Sequence, residues 1–221
     1  MAVISAFIFD LDGVITDTAE YHFLAWKRLA DEEGIPFTRE DNEQLRGVSR
    51  RESLNRLLKG RPISEADAEA WMARKNSYYI AMLEEMTPDD ILPGAREFLD
   101  NAQASNIKLA IGSASKNAHT VLDKLGITDR FDAVGDGHVV INTKPAPDLF
   151  VWVAGALRCP VEEAVVFEDA EAGVEAALAA GFHAVGIGGE RVRRAHLQSE
   201  GLHALTVDQV LQRFSQKMSR R

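Results

Sequence analysis

Residues 3 to 9, VISAFIF, form a near-continuous apolar run that ends on two acids and a glycine, in DLDG. A strand with one face in water alternates polar and apolar positions. A strand covered on both faces has no such alternation and reads as this one does. The pattern recurs at IKLAIGS (107–113), AVVFED (164–169) and HAVGIG (183–188), and more weakly at FDAVGD (131–136). Helical patterns separate these runs. HTVLDKLGI (119–127) has leucines at helical spacing with Gly126 as its stop, and DLFVWVAGALR (148–158) follows Pro147, a residue suited to a helix start. A further helix beginning near Ala170 ends at Gly181, a C-cap signal. Strands alternating with helices predict an α/β fold, a doubly wound Rossmann-like parallel sheet. In such a sheet ligands sit in a crevice beyond the carboxyl ends of the strands.

Residues 19 to 86 break the alternation. They hold no convincing strand and several helical stretches, among them AEYHFLAWKRLADEEG, closed by Gly34, and SEADAEAWMARKNSYYIAMLEEM, opened by Ser64 and Asp67 in the spacing of a capping box. The division expected is a core of residues 1–17 and 88–221 with a helical insertion of residues 18–87. The hinges fall near Thr16–Thr18 and Thr87–Pro93. The end, SQKMSRR, reads as a frayed tail.

The chain has 221 residues, enough for one large domain or one domain with an insertion. Its single cysteine, Cys159, excludes an intrachain disulfide and fits a reducing, cytoplasmic setting. The N-terminus runs straight into acids without a basic segment and is a poor signal peptide. No apolar run approaches the ~20 residues of a membrane span. A net charge of −9 argues against general binding to nucleic acid or to acidic membranes. A small anionic ligand remains compatible with it, because a local basic cluster can outweigh the global charge.

Several polar residues fall at the ends of apolar runs. Asp10 and Asp12 follow the first, Ser113 the run from 107, and Glu168 and Asp169 the run from 164; Lys144 lies in the loop NTKPAPD before the next helix. Taken singly, each has a plain explanation. D-x-D-G is also turn chemistry, Glu168 and Asp169 could cap a helix, and Ser113 and Lys144 could be loop residues in water. Taken together in a parallel sheet, they converge on one crevice. Carboxylates gathered in this way need a cation, and oxygen ligands suit Mg2+ when phosphate is near. A metal, a lysine, a hydroxyl and an aspartate are what phosphoryl transfer requires. Asp10 is the candidate nucleophile and Asp12 the candidate general acid/base.

These motifs, in this order, resemble those of the haloacid dehalogenase (HAD) superfamily of aspartate-nucleophile phosphotransferases. The helical insertion resembles its α-helical cap. The stretches DLDGVITDTAEYHFLAW, LRGVSRRES, ARKNSYY, SASKN and KPAPD are together similar to its sugar-phosphate mutases. That resemblance implies interconversion of β-D-glucose 1-phosphate and glucose 6-phosphate through β-D-glucose 1,6-bisphosphate, with Mg2+ as cofactor. It assigns Mg2+ to Asp10, the Asp12 backbone carbonyl and Asp169, with Glu168 beside them. It places the transferring phosphate among Ser113, Ala114, Ser115, Lys116, Asn117 and Lys144. In the cap, Arg50 would hold the other phosphate. Gly47, Val48, Ser49, Ser53, Lys75 and Asn76 would line the sugar side, with Thr18, His22 and Trp26 near the hinge. The partners implied are small sugar phosphates acting on a monomeric chain.

The residues bear on part of this independently. Trp71, Met72, Lys75, Tyr78, Tyr79 and Met82 recur at helical spacing, so Lys75 sits in an apolar stripe. It either snorkels at the stripe's edge or meets an anion in a cleft. Arg50 is either a surface arginine or a phosphate fork. A mutase needs two phosphate sites and a phosphatase one, so these two cations separate the readings. The alternatives to the mutase are a sugar-phosphate phosphatase on the same scaffold and a catalytically silent metabolite-binding protein. GIGGE (186–190) reads as a strand-end turn, RVRRAH (191–196) as a solvated helix face, and His119 and His183 as structural.

Overall fold

The computed structural model describes residues 3–215, so the tail reading of SQKMSRR lies outside the described residues beyond Ser215. In chain order the elements are β1 (Ala6–Phe9), α1 (Ala19–Glu32), α2 (Arg39–Glu43), α3 (Arg50–Leu58) and α4 (Glu65–Leu83). Then come α5 (Ala95–Ala104), β2 (Lys108–Gly112), α6 (Ala118–Leu125), β3 (Ala133–Gly135), α7 (Asp148–Leu157) and β4 (Ala164–Glu168). The chain closes with α8 (Glu171–Ala180), β5 (His183–Ile187), β6 (Leu197–Ser199) and α9 (Val207–Ser215). The strands form one parallel sheet in the order β3-β2-β1-β4-β5-β6. That order reverses direction between β1 and β4, which places a crevice at their carboxyl ends.

The apolar runs are apolar because both faces of the sheet are covered. Phe7 and Phe9 of β1 join Leu109, Ile111, Val165, Phe167 and Val185 under α5, α6 and α9. Ala6 and Ile8 face the other way, with Ala110, Val166 and Ala184, under Phe150, Val153, Ala176 and Ala177 of α7 and α8. The Phe9 and Phe167 rings stack at 4.7 Å, directly beneath the strand ends that bear Asp10 and Glu168. Truncating such a ring to alanine costs roughly 3–5 kcal/mol, so the site stands on a stiff apolar floor.

Helices α1–α4 fill the connection between β1 and the segment leading to α5. Phe23, Trp26, Leu29, Ile35, Phe37, Leu45, Leu54, Leu57, Leu58 and Ala68 form an apolar cluster of their own, whereas Tyr79 and Leu83 of α4 join the main core. The two crossover segments lie side by side: Leu92 N donates to Ile15 O at 2.9 Å and Thr16 Oγ1 to Asp90 O at 2.7 Å.

Three details depart from the sequence reading. RVRRAH is not a helix face. Residues Glu190–Val192 make a single 3-10 turn, and the chain continues into β6, whose three residues LQS are too short and too polar to show as an apolar run. FDAVGD contributes only the three-residue edge strand β3. At the start of α4, Ser64 Oγ accepts from Asp67 N at 3.1 Å, but Asp67 Oδ2 accepts from the Ser64 hydroxyl at 2.6 Å, closing the cap through the side chain.

Candidate active site

Asp10 stands at the end of β1, where its N–H donates to Phe167 O at 2.8 Å and continues the ladder for one residue. The turn that follows needs Gly13. Its φ is 82°, and a Cβ there would lie 2.4 Å from Asp169 Oδ2. The glycine lets the β1 loop press against the end of β4. Glu168 is fully enclosed, and its Oε1 accepts from Ala170 N at 3.1 Å. The bond goes to the N-cap residue's own N–H, and α8 has no side-chain cap, so neither Glu168 nor Asp169 caps the helix as the plain reading of the sequence allowed. Asp10, Glu168 and Asp169 each turn an oxygen to the same point, all within 4.8 Å of one another. Three buried carboxylates are a hard-oxygen donor set suited to a divalent cation such as Mg2+.

Lys144 comes from the loop before α7 and is equally enclosed. Its Nζ donates to Asp10 Oδ1 at 2.5 Å and to Glu168 Oε2 at 2.7 Å, and stands 4.8 Å over the Phe150 ring. Burial opposes its charge, but Asp10 and Glu168 outweigh burial and hold it protonated. Burial, then the Asp10 charge, pushes both Glu168 and Asp169 above the usual carboxylate range. Asp12 is pushed up to about 7, first by burial and then by Asp10, against a lowering hydrogen bond from Thr18. Thr18 Oγ1 donates to Asp12 Oδ1, and the Tyr79 hydroxyl donates to Thr18 Oγ1 at 3.1 Å.

β2 delivers Ser113, whose hydroxyl accepts from Ser115 N at 3.2 Å; Ser115 Oγ in turn accepts from Asn117 N at 3.2 Å. This loop runs into α6, and its N-cap Asn117 makes no side-chain cap bond. Uncapped helix-start N–H groups favour an anion. Instead, Asn117 Nδ2 donates to Asn76 Oδ1 at 2.9 Å, an oxygen that also accepts from Arg50 Nη2 at 2.7 Å.

Across the crevice, Lys75 is 2% exposed, so it does not snorkel to water. Its Nζ lies 2.7 Å from His22 Nδ1 and faces the rings of Trp26 and Tyr79 at 5.1 and 4.9 Å. Burial and the Arg50 charge hold Lys75 well below its ordinary pKa, and burial and Lys75 do the same to His22. The crevice therefore ends in Lys75 and Arg50, two basic groups with no carboxylate bonded to them among the described residues. Lys75 and Arg50 line the same cavity as Asp10, Asp12, Asp169 and Ser113, together with Gly47, Val48, Ser53, Ala114, Ser115 and Lys116. The cavity measures about 90 Å³, against ~300–1,000 Å³ for ordinary small-molecule sites, so the helical layer stands close over the sheet.

Lys144 and Glu168 lie below the cavity, Thr18 behind Asp12, and Asn76 and Asn117 at its edge. Ser49 Oγ accepts from Glu52 N at 3.2 Å and caps α3. One charged lining residue was missed. Arg46 reaches from the helical layer to place Nη1 2.7 Å from Asp169 Oδ2. Its position before Gly47, in the loop LRGVSRR, gave no pattern that set it apart from a surface arginine.

The haloacid dehalogenase-like hydrolase family matches residues 4–181. A β-phosphoglucomutase of Bacillus subtilis (strain 168) is 44% identical over 83% of this chain and 83% of its own length. A phosphorylated carbohydrates phosphatase of Thermotoga maritima is 33% identical over 81% of this chain and 83% of its own. The crystal structure of a β-phosphoglucomutase from Clostridium difficile superposes with a TM-score of 0.93 at 40% identity, covering 96% of this chain and 98% of that one.

Proposed function

We propose, from the premise that this chain belongs to the haloacid dehalogenase-like hydrolase family, that it acts as a β-phosphoglucomutase. The reaction is interconversion of β-D-glucose 1-phosphate and glucose 6-phosphate through β-D-glucose 1,6-bisphosphate and a phosphorylated Asp10. The observation that carries this reading is the two sets of basic groups about one cavity: Lys116 in its sheet-side wall with Lys144 bonded to Asp10, and Arg50 with Lys75 in the helical layer. A bisphosphate held between two anion sites can be released, turned over and presented by its other end. One anion site would suffice for hydrolysis.

In the proposed cycle an Asp10 oxygen forms a bond to phosphorus as the sugar–phosphate P–O bond breaks. Lys144, the Ser113 hydroxyl and the N–H groups from Ala114 to Asn117 hold the transferring group, with Lys116 at the cavity wall. Asp12 gives its proton to the departing sugar oxygen and takes one from the attacking hydroxyl on return. With its carboxyl near neutrality, it can do both at physiological pH. Asp10, the Asp12 carbonyl and Asp169, with Glu168 beside them, would hold Mg2+. When bound, the ion supplies neutralisation of charge on the phosphoryl oxygens. Residues 18–87 form the cap over a core of 1–17 and 88–221, and closure excludes water from phosphorylated Asp10. Every proposed group comes from one chain, so a monomer suffices. A cytoplasmic location belongs to the same proposal, since phosphorylated sugars do not cross apolar barriers unaided.

The Thermotoga relative favours a second reading, a sugar-phosphate phosphatase. A coupled assay with α- and β-glucose 1-phosphate, Mg2+ and catalytic bisphosphate separates the two. The mutase reading expects glucose 6-phosphate from the β anomer alone, with little free phosphate. Phosphate release that matches or exceeds isomerisation overturns it in favour of the phosphatase. Asp10→Asn should abolish both.

A further inference from the structure

We propose that Glu43 and Arg191 are positioning residues that strap the cap to the core by holding Arg46 over Asp169. Arg46 Nη1 donates to Asp169 Oδ2 at 2.7 Å, and its Nε lies 3.4 Å from Glu43 Oε2. That same Glu43 oxygen receives Nη1 of Arg191 from the turn after β5. Four charges alternate in sign along one line, Asp169–Arg46–Glu43–Arg191. The outer two belong to the core and the inner two to the helical layer. The turn from Glu43 to Arg46 thus straddles the exits of two neighbouring strands, β4 and β5, and ties both to the cap. The Arg46–Asp169 pair is screened from water, with side chains 22% and 9% exposed, while the Arg191–Glu43 pair is 44% and 49% exposed. Glu43 and Arg191 are absent from the cavity lining. Their effect on ligands therefore passes through the position of the cap and, for Arg191, through its charge acting on Asp169.

The strap gives the short basic run at 191–194 a role. Without Arg191, Glu43 loses its only core partner among the described ion pairs, and Arg46 is held at one end instead of two. An exposed pair is weak, so the cap should loosen without the fold failing. The expected change in the open-to-closed ratio is roughly two- to fivefold.

The first test reads cap position directly and does not depend on the mutase reading. Nitroxide labels at Glu69→Cys in the cap and Asn101→Cys in the core, in a Cys159→Ser background, report a distance distribution by pulsed electron resonance. Arg191→Ala and Glu43→Gln should each broaden it toward longer distances. The double variant should match the singles, since both break one link. Arg191→Lys should recover part of the change, and ~1 M salt should move the parent protein toward the variants. Distributions that superpose on the parent, or additive singles, overturn the proposal. The kinetic arm rests on the mutase reading: the ratio of phosphate released to phosphate transferred should rise roughly two- to fivefold in Arg191→Ala at unchanged melting temperature. If the distances shift and no mutase activity exists in the parent, the function is wrong and the strap stands.

Discussion

Lys144 and Asp10, 134 positions apart in the chain, meet with Nζ 2.5 Å from Oδ1 in an enclosed site. The lysine also bonds Glu168, so it supplies the core with the positive charge that three converging carboxylates require. Removing one partner of a buried ion cluster costs roughly 3–5 kcal/mol, because the others are left uncompensated. Lys144→Met should lose about that much stability in the presence of a chelator. Mg2+ should restore more of it in the variant than it adds to the parent protein. Chemical denaturation of both proteins with and without Mg2+ checks this, and equal Mg2+ effects would contradict it.

The same cluster sets how metal binding responds to pH. Burial and the Asp10 charge raise Glu168 and Asp169 above their unfolded values. Such groups stabilise the folded state fully below the unfolded carboxylate pKa of ~4, and that contribution is lost as pH rises through the raised folded values. A bound cation requires the ionised form and releases the protons, so its affinity rises over the same window. His22 and Lys75 are shifted the opposite way, and they would blur a simple stability profile. They are not among the proposed Mg2+ ligands, so the part of their titration common to both samples cancels in the difference with and without Mg2+. The Mg2+-induced increase in melting temperature should therefore grow from pH 5 to pH 8. A difference that shrinks over that range refutes the assignment.

Much of this was legible in the sequence because a parallel sheet leaves a plain record. Both faces of β1, β4 and β5 are buried, so the runs are apolar throughout, and the first polar residue after each run marks the crevice. Asp10, Ser113 and Glu168 were found in that way. Lys144 was found only jointly, since nothing in NTKPAPD says that a loop lysine turns inward by way of the Phe150 face. β6 escaped because an edge strand of three residues buries little. Arg46 and Arg191 escaped because an ion pair between layers has no period. Its partners are set by how the cap sits, and that follows from packing such as that of Tyr79 and Leu83 of α4 into the main core, not from local pattern.

Thr18 offers a test of the acid/base assignment. Its hydroxyl bonds Asp12 and lowers a carboxyl that burial and then the Asp10 charge raise, leaving it at about 7. Thr18→Val removes that donor. The rising limb of kcat/KM against pH should then move upward by roughly a pH unit or less, the scale of one lost hydrogen bond to a charged group. A limb that stays in place would show that Asp12 does not set it.

Arg50 should separate transfer from hydrolysis. It lines the cavity from the helical layer, bonded to Asn76 and not to Lys144 or Asp10. A charge-assisted bond to a phosphate contributes roughly 1.5–3 kcal/mol. Arg50→Ala should lower isomerisation about ten- to a hundredfold while leaving phosphorylation of Asp10 by a small donor such as acetyl phosphate nearly unchanged. Equal losses in the two assays would remove the case for a second anion site.

Gly173 tests whether the position of Glu168 matters to the metal site at all. It lies in α8, where alanine ordinarily gains roughly 0.5–1 kcal/mol over glycine. Here a Cβ would stand 2.0 Å from both Cδ and Oε2 of Glu168. Glu168 cannot retreat, because Oε2 is bonded to Lys144 and Oε1 to Ala170 N. Either α8 moves away from the strand end or the carboxyl leaves the cluster, and overpacking of this kind costs roughly 1–3 kcal/mol. The clash should outweigh the helix gain. Gly173→Ala should be less stable than the parent and bind Mg2+ more weakly by calorimetry. A second variant, Gly181→Ala at the end of the same helix, serves as a comparison: φ there is 88° but no atom lies within 4 Å of the added Cβ. It should lose stability by backbone strain alone and keep its Mg2+ affinity. Parent-like Mg2+ binding in Gly173→Ala would mean that Glu168 is held for structure and not for the cation.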